Sequence, residues 1–186
     1  MRAGGVCDYS VLKVRMNTSQ LVEQLATKLQ SRGLLLTTAE SCTGGMIAAA
    51  CTDLAGSSAW FDRGFITYSN DAKTAMLGVS SSMIRRHGAV SEDVARAMAR
   101  GAVRVIAEAM AGRPYPTGLT GHVAVAVTGV GGPGGGSDLK PVGTVCFGFS
   151  VGDAVTTCTQ HFEGDRSAVR AQTVAFALSE LLRLLG

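Results

Sequence analysis

A single α/β domain with a mixed sheet is what the 186-residue sequence predicts, and three observations predict it. Short apolar or β-branched runs, at 34–38, 60–69, 122–127 and 142–149, alternate with segments whose apolar residues recur every three to four positions. The last of these runs, within 141–150, and a further one at 154–162 flank Gly152-Asp153 and read as an antiparallel hairpin, so the sheet is not purely parallel. No linker, internal repeat or low-complexity tract divides the chain, and its length suits one domain with a sizeable core.

The elements follow in order. Residues 1–16 have no period and read as a flexible tail; the domain proper spans 17–186. Leu21, Leu25 and Leu29 repeat every fourth residue in a helix over 17–32, which Asn17 and Gln20 open as a capping pair and Gly33 closes. Leu34-Leu35-Leu36 begin the first buried strand, and a helix follows over about 43–53, small-faced through Ala48, Ala49 and Ala50. The strand over 60–69 is aromatic and β-branched; Asn70 then caps a short helix that Gly78 ends. The segment from His87 to Val90 reads as a loop, and Ser91 caps a long helix with Glu92 and Asp93 in its first turn. Val94, Met98, Val105 and Ala109 mark its buried face; Arg96, Arg100 and Arg104 form a solvated stripe, with Glu108 in reach of Arg104. The segment 112–121, with two prolines, is a loop. After the hairpin, Gly164-Asp165 start a last helix with Val169, Thr173, Phe176, Ala177, Leu181 and Leu182 inward.

Composition narrows the function. Hydrophobic residues at 46% and charged residues at 17%, with 24 glycines, describe a packed, glycine-turned chain and not a disordered one. The formal charge of +3 comes without a basic run, so no nucleic-acid footprint is present. No apolar stretch has membrane-spanning length, and the N-terminus lacks a signal-peptide core. Five cysteines, an odd count without Cys-x-x-Cys spacing, exclude a disulfide framework and a zinc knuckle and suit a reduced cytoplasmic protein. The three histidines are scattered, and no metal or organic cofactor is expected.

Two loops carry the chemical signal. In Thr38-Ala39-Glu40-Ser41-Cys42-Thr43-Gly44-Gly45 a buried strand turns into a helix, and the glycines let backbone amides approach a ligand. Locally, a helix-capping role for Ser41 or Thr43 explains the stretch as well. Thr128-Gly129-Val130-Gly131-Gly132-Pro133-Gly134-Gly135-Gly136 follows a strand; it is neither a P-loop nor a dinucleotide fingerprint, and it suits an anion cradle or a plain turn. Arg166 and Arg170, four apart at the start of the last helix, are cations in reach of a phosphate or carboxylate, or else solvated. Lys73 lies in the first turns of a helix, where its charge is disfavoured; a solvated lysine is the plainer reading.

Those stretches, taken with Gly64-Phe65-Ile66-Thr67-Tyr68-Ser69-Asn70-Asp71-Ala72-Lys73, Gly88-Ala89-Val90-Ser91 and Pro141-Val142-Gly143-Thr144-Val145, closely resemble the CinA C-terminal domain family, the nicotinamide-nucleotide amidohydrolases, over about 17–186. The resemblance implies a three-layer α/β/α fold and hydrolysis of nicotinamide mononucleotide to nicotinate mononucleotide and ammonia in pyridine-nucleotide salvage. It implies Ser41 as nucleophile, Lys73 as base and Tyr68 as a catalytic partner, and a homodimer as the assembly. Gly131 stands where the family usually has alanine. The chemistry is coherent: a serine needs a base, and a lysine serves once burial and a helix N-terminus lower its pKa. Amides at Cys42, Thr43, Gly44 and Gly45 would receive the oxyanion. Thr128, Gly129, Gly131, Gly132 and Gly134, with Arg166 or Arg170, would hold ribose and phosphate. Cys42 is a rival nucleophile by its intrinsic chemistry. Two other readings stay open: a non-catalytic nucleotide-binding or interaction module linked to competence or damage response, and a Ser-Lys amidase for another amide.

Overall fold

The structure, a computed structural model, describes residues 17–112 and 118–186. The N-terminal tail and residues 113–117 of the proline-bearing segment at 112–121 lie outside the described residues. α1 (Thr18–Ser31) opens with the expected reciprocal capping box: Gln20 N donates to the Asn17 side chain at 2.9 Å, and Asn17 N donates to that of Gln20 at 3.1 Å. β1 (Leu34–Glu40) and β2 (Phe61–Ile66) flank α2 (Met46–Thr52). Then come α3 (Asn70–Leu77), α4 (Ser81–His87), α5 (Glu92–Met110), β3 (Gly121–Gly129), β4 (Thr144–Val151), β5 (Ala154–His161) and α6 (Arg166–Leu184).

The sheet order is β2-β1-β3-β4-β5. β2, β1 and β3 run parallel, β4 is antiparallel to β3, and β5 is antiparallel to β4, so the sheet is mixed as expected. From β1 the chain goes outward through α2 to β2, and then returns through α3, α4 and α5 to β3 on the other side of β1. The crevice beyond the carboxyl ends of β1 and β3 is therefore a topological switch point, where α/β sheets bind ligands.

Two cores sandwich the sheet. Leu21, Leu25 and Leu29 of α1 and Phe176, Leu178 and Leu181 of α6 pack with Leu36, Val125 and Phe147 on one face. Leu77, Ile84, Val94 and Met98 pack with Ala39, Ala124 and Ala126 on the other. The second face of β1 and β3 is lined by alanines, so α5 lies close. A Cβ on Gly148 would meet Ala95 O of α5 at 2.4 Å. Trp60, the single tryptophan, is 1% exposed at the start of β2, edge-on to Phe61 at 6.3 Å.

Several boundaries differ from expectation. The helix after the first turn starts at Met46, because Gly44 and Gly45 are left-handed (φ 61° and 99°) and hold three more residues in the turn. β2 ends at Ile66, and Ser69, not Asn70, caps α3 by accepting from Ala72 N at 3.0 Å. His87 ends a helix, α4, which at seven residues with Ile84 its one buried side chain is too short to show a period. The inner face of α5 continues through Gly101, Ala102 and Ile106; Ala109 is exposed and Val105 half-buried. Arg96 is no solvated cation: it donates to Val155 O at 2.7 Å and Thr157 Oγ1 at 2.8 Å, fastening β5 to α5. Arg104 pairs with Glu108 at 2.6 Å as its spacing suggests.

Candidate active site

Three parallel strands deliver their carboxyl ends to one edge, and the site is assembled there. Beyond β1 comes Ser41, whose N–H donates to Val127 O of β3 at 3.1 Å. Beyond β2 comes Thr67, whose N–H donates to Glu40 O at 2.7 Å. These bonds extend the parallel ladders by one residue and fix the two strand ends against each other.

Lys73 closes the arrangement from α3. Its ammonium nitrogen lies 3.0 Å from Ser41 Oγ and donates to Thr67 O at 2.9 Å. The side chain is 1% exposed, so the plain solvated reading fails. Burial pulls its pKa below the usual lysine value of 10.5, against a smaller opposite pull from the Cys42 thiol. A neutral amine holding one N–H on Thr67 O keeps its lone pair for the serine proton. Cys42 behaves oppositely: burial pushes its thiol up to about 11, which deprives it of thiolate at neutral pH. Of the two adjacent side chains, Ser41 is the one in hydrogen-bond contact with the Lys73 nitrogen.

Glu40 organises the turn, and sequence reasoning gave it no role. Its carboxylate is fully buried. Oε2 accepts from Thr43 Oγ1 at 2.7 Å, Gly45 N at 3.0 Å and Ile47 N at 3.0 Å; Oε1 accepts from Ala48 N at 2.8 Å. A strand-end carboxylate thus satisfies the first amides of α2 and sits at the positive end of its dipole. The signal was present: an acid at the last position of a buried apolar strand needs donors, and the following helix start supplies them.

Two amides of the expected oxyanion site are occupied from within the turn. Gly45 N is taken by Glu40, and Gly44 N donates to Ser41 O at 3.1 Å. Thr43 is fully buried, its hydroxyl on Glu40. Arg170, expected as a phosphate ligand, is not among the residues lining the cavity described below: its Nε donates to Cys42 O at 3.1 Å and a terminal nitrogen to Thr43 O at 2.7 Å. Thr43, Gly44, Gly45 and Arg170 hold the turn from behind.

The remaining expected residues converge. Ser41, Cys42, Tyr68, Lys73, Thr128, Gly129, Gly131, Gly132, Gly134 and Arg166 line one cavity of about 300 Å³, together with Asn70, Ala89, Val90, Val130 and Gly135. Thr128 donates its hydroxyl to Ala89 O at 2.8 Å, which joins the loop after α4 to β3. Gly129 must be glycine, since a Cβ would meet Thr144 O at 2.8 Å. Across the mouth, Arg166 donates to Gly132 O at 2.8 Å and to the Tyr68 hydroxyl at 3.0 Å. Tyr68 is 62% exposed. The cavity is small and carries a few convergent polar groups, as small-molecule sites do.

The chain belongs to the CinA C-terminal domain family. That domain matches residues 18–185. The chain is 51% identical over 165 residues to the nicotinamide-nucleotide amidohydrolase PncC of Enterobacter agglomerans, covering 88% of this chain and 93% of the relative. It is 49% identical over 164 residues to PncC of Escherichia coli K12, covering 87% and 91%. Among solved structures it is similar to the competence-damaged protein (CinA) superfamily protein of Klebsiella pneumoniae 700603 (TM-score 0.81, 37% identity, 91% of this chain and 98% of that one). It is equally similar to the competence/damage inducible protein CihA of Agrobacterium tumefaciens (TM-score 0.81, 38% identity, 100% of both chains). Among the described residues no helix is long and apolar enough to cross a membrane.

Proposed function

We propose that the chain is a cytoplasmic nicotinamide-nucleotide amidohydrolase that converts nicotinamide mononucleotide to nicotinate mononucleotide and ammonia through a Ser41–Lys73 dyad. The names of its PncC relatives support the reaction. The observation that carries the mechanism is the buried Lys73 nitrogen 3.0 Å from Ser41 Oγ.

In this reading Ser41 Oγ attacks the carboxamide carbon as Lys73 takes its proton. The carbonyl oxygen becomes an oxyanion beside Cys42, whose N–H no backbone carbonyl takes among the described residues. Lys73 returns the proton to the amide nitrogen, the C–N bond breaks, and ammonia leaves. A nicotinoyl ester remains on Ser41. Water, deprotonated by Lys73, attacks that ester; the C–O bond to Ser41 breaks and the serine recovers its proton. Arg166 and the loop over 129–135 hold the phosphate and ribose.

Ammonia release from nicotinamide mononucleotide tests the reading. The purified wild type turns over, and Ser41→Ala and Lys73→Ala each lose on the order of 10⁴-fold in kcat while keeping their circular dichroism. Activity that survives in Ser41→Ala removes the serine from the mechanism. The pH profile gives a second check. Lys73 must be neutral in the free enzyme, and its pKa lies below 10.5. Hence kcat/KM rises with pH, levels off below the ordinary lysine range, and is lost as pH falls through the lowered pKa. A kcat/KM profile with no basic limb anywhere below the ordinary lysine range contradicts a lysine base.

A further inference from the structure

At the rim of the cavity stands a cation whose hydrogen-bond partners among the described residues are neutral. Arg166 spans from the glycine loop to the β2–α3 connection, with Gly132 O at 2.8 Å and Tyr68 Oη at 3.0 Å. It is the first residue of α6, whose cap, Asp165, has its carboxylate on Ala168 N at 2.8 Å. No carboxylate pairs with Arg166 among the described ion pairs. One turn further on, Arg170 is part-buried and spent on the backbone of the Ser41 turn. The two arginines have therefore divided the work, and only Arg166 can let go of its partners without loosening the nucleophile.

We infer that Arg166 is a phosphate-reading latch. Resting on the reading of this site as one for a phosphorylated nucleotide, the inference is that the substrate's phosphate draws the guanidinium off Tyr68 and Gly132 and so completes the site. A phosphate offers charge-assisted, bidentate acceptors, whereas a phenol and an amide carbonyl offer neutral ones. The exchange favours the anion, helped by the N-terminus of α6 behind it. It frees two groups that face the same cavity: the Tyr68 hydroxyl, a donor and acceptor, and Gly132 O, an acceptor for a ribose hydroxyl. A substrate without phosphate finds both groups still held. Phosphate is then read in kcat as well as in KM, because binding energy remote from the carboxamide is spent on arranging the site.

The experiment uses the substrate in two pieces. Wild type is assayed with nicotinamide mononucleotide and with nicotinamide riboside, the latter with and without inorganic phosphite. The latch predicts a riboside kcat/KM lower by on the order of 10³-fold, raised at least about tenfold by phosphite. It predicts no phosphite activation in Arg166→Ala, and a kcat loss on the nucleotide in that variant beyond its KM change. Phosphite without effect on the riboside, or Arg166→Ala with unchanged kcat and KM on the nucleotide, overturns it. A binding readout separates this from the amidohydrolase reading. Inorganic phosphate, titrated into wild type, should shift the Tyr68 ring resonances, assigned with Tyr68→Phe; Arg166→Ala should abolish the shift. If neither substrate is hydrolysed, the amidohydrolase reading falls, and the presence or absence of that shift alone decides the latch.

Discussion

The turn over 40–45 and the loop over 129–136 meet in one cavity, yet they are built in opposite ways. In the turn nearly every polar group is satisfied from within the protein. Glu40 takes four donors, Arg170 covers Cys42 O and Thr43 O, and Ser41 N is paired with Val127 O. The loop is held by a few anchors at its ends: Val130 N on Thr144 O at 2.8 Å, Gly143 N on Val130 O at 2.8 Å, and Lys140 Nζ on His87 O at 2.9 Å. Between them, no backbone carbonyl takes the N–H of Gly131, Gly132, Gly134 or Gly135 among the described residues. The difference separates two tasks. In the proposed mechanism Ser41 must be held within fractions of an ångström of Lys73, and its surroundings are saturated. In the same proposal the loop must keep donors for the substrate, and its surroundings are left open.

That contrast can be broken from either side. The largest effect is expected at Glu40→Ala, which leaves the start of α2 without its acceptor and should cost about 3 kcal/mol or more in urea denaturation. A loss under 1 kcal/mol would mean that the turn does not depend on its carboxylate. Next comes Gly132→Ala. The residue has φ 72°, and a Cβ would approach Val142 Cγ1 to 2.6 Å. The left-handed backbone alone costs about 1–2 kcal/mol, and because the loop is open the damage should appear in KM more than in the melting midpoint. A fall in kcat at unchanged KM would make the loop part of the chemistry. The smallest effect belongs to Leu139→Ser, at a side chain 92% exposed beside the loop. Stability should stay within about 0.5 kcal/mol and KM should not move; a marked change in either would reveal a contact that the isolated chain lacks.

Much of this was legible in the residues. The period of Leu21, Leu25 and Leu29, the Asn17–Gln20 pair, the valine-alanine strand and the Gly152-Asp153 hairpin each reflect local rules, and each element stands where those rules put it. Ser41, Lys73, Tyr68 and the glycine loop were readable as separate motifs and do share one cavity. What stayed hidden depends on contacts distant in sequence. Arg166 and Arg170 are equivalent by spacing, and only the position of α6 behind the Ser41 turn tells them apart. Gly44 and Gly45 looked like free amide donors because nothing in their own stretch says that Glu40 folds forward onto them. Arg96 looked solvated because its partner strand comes some sixty residues later, with Val155 and Thr157.

One buried ring sets how this protein can be watched. Trp60 precedes β2 in the core, and the cavity lies beyond the other end of that six-residue strand, about 20 Å away at ~3.3 Å per residue. Its emission will respond to loss of the core and remain silent when a ligand enters. Intrinsic fluorescence therefore gives a clean unfolding signal in the presence of any substrate, and ligand occupancy needs a reporter at the rim, where Tyr68 already stands.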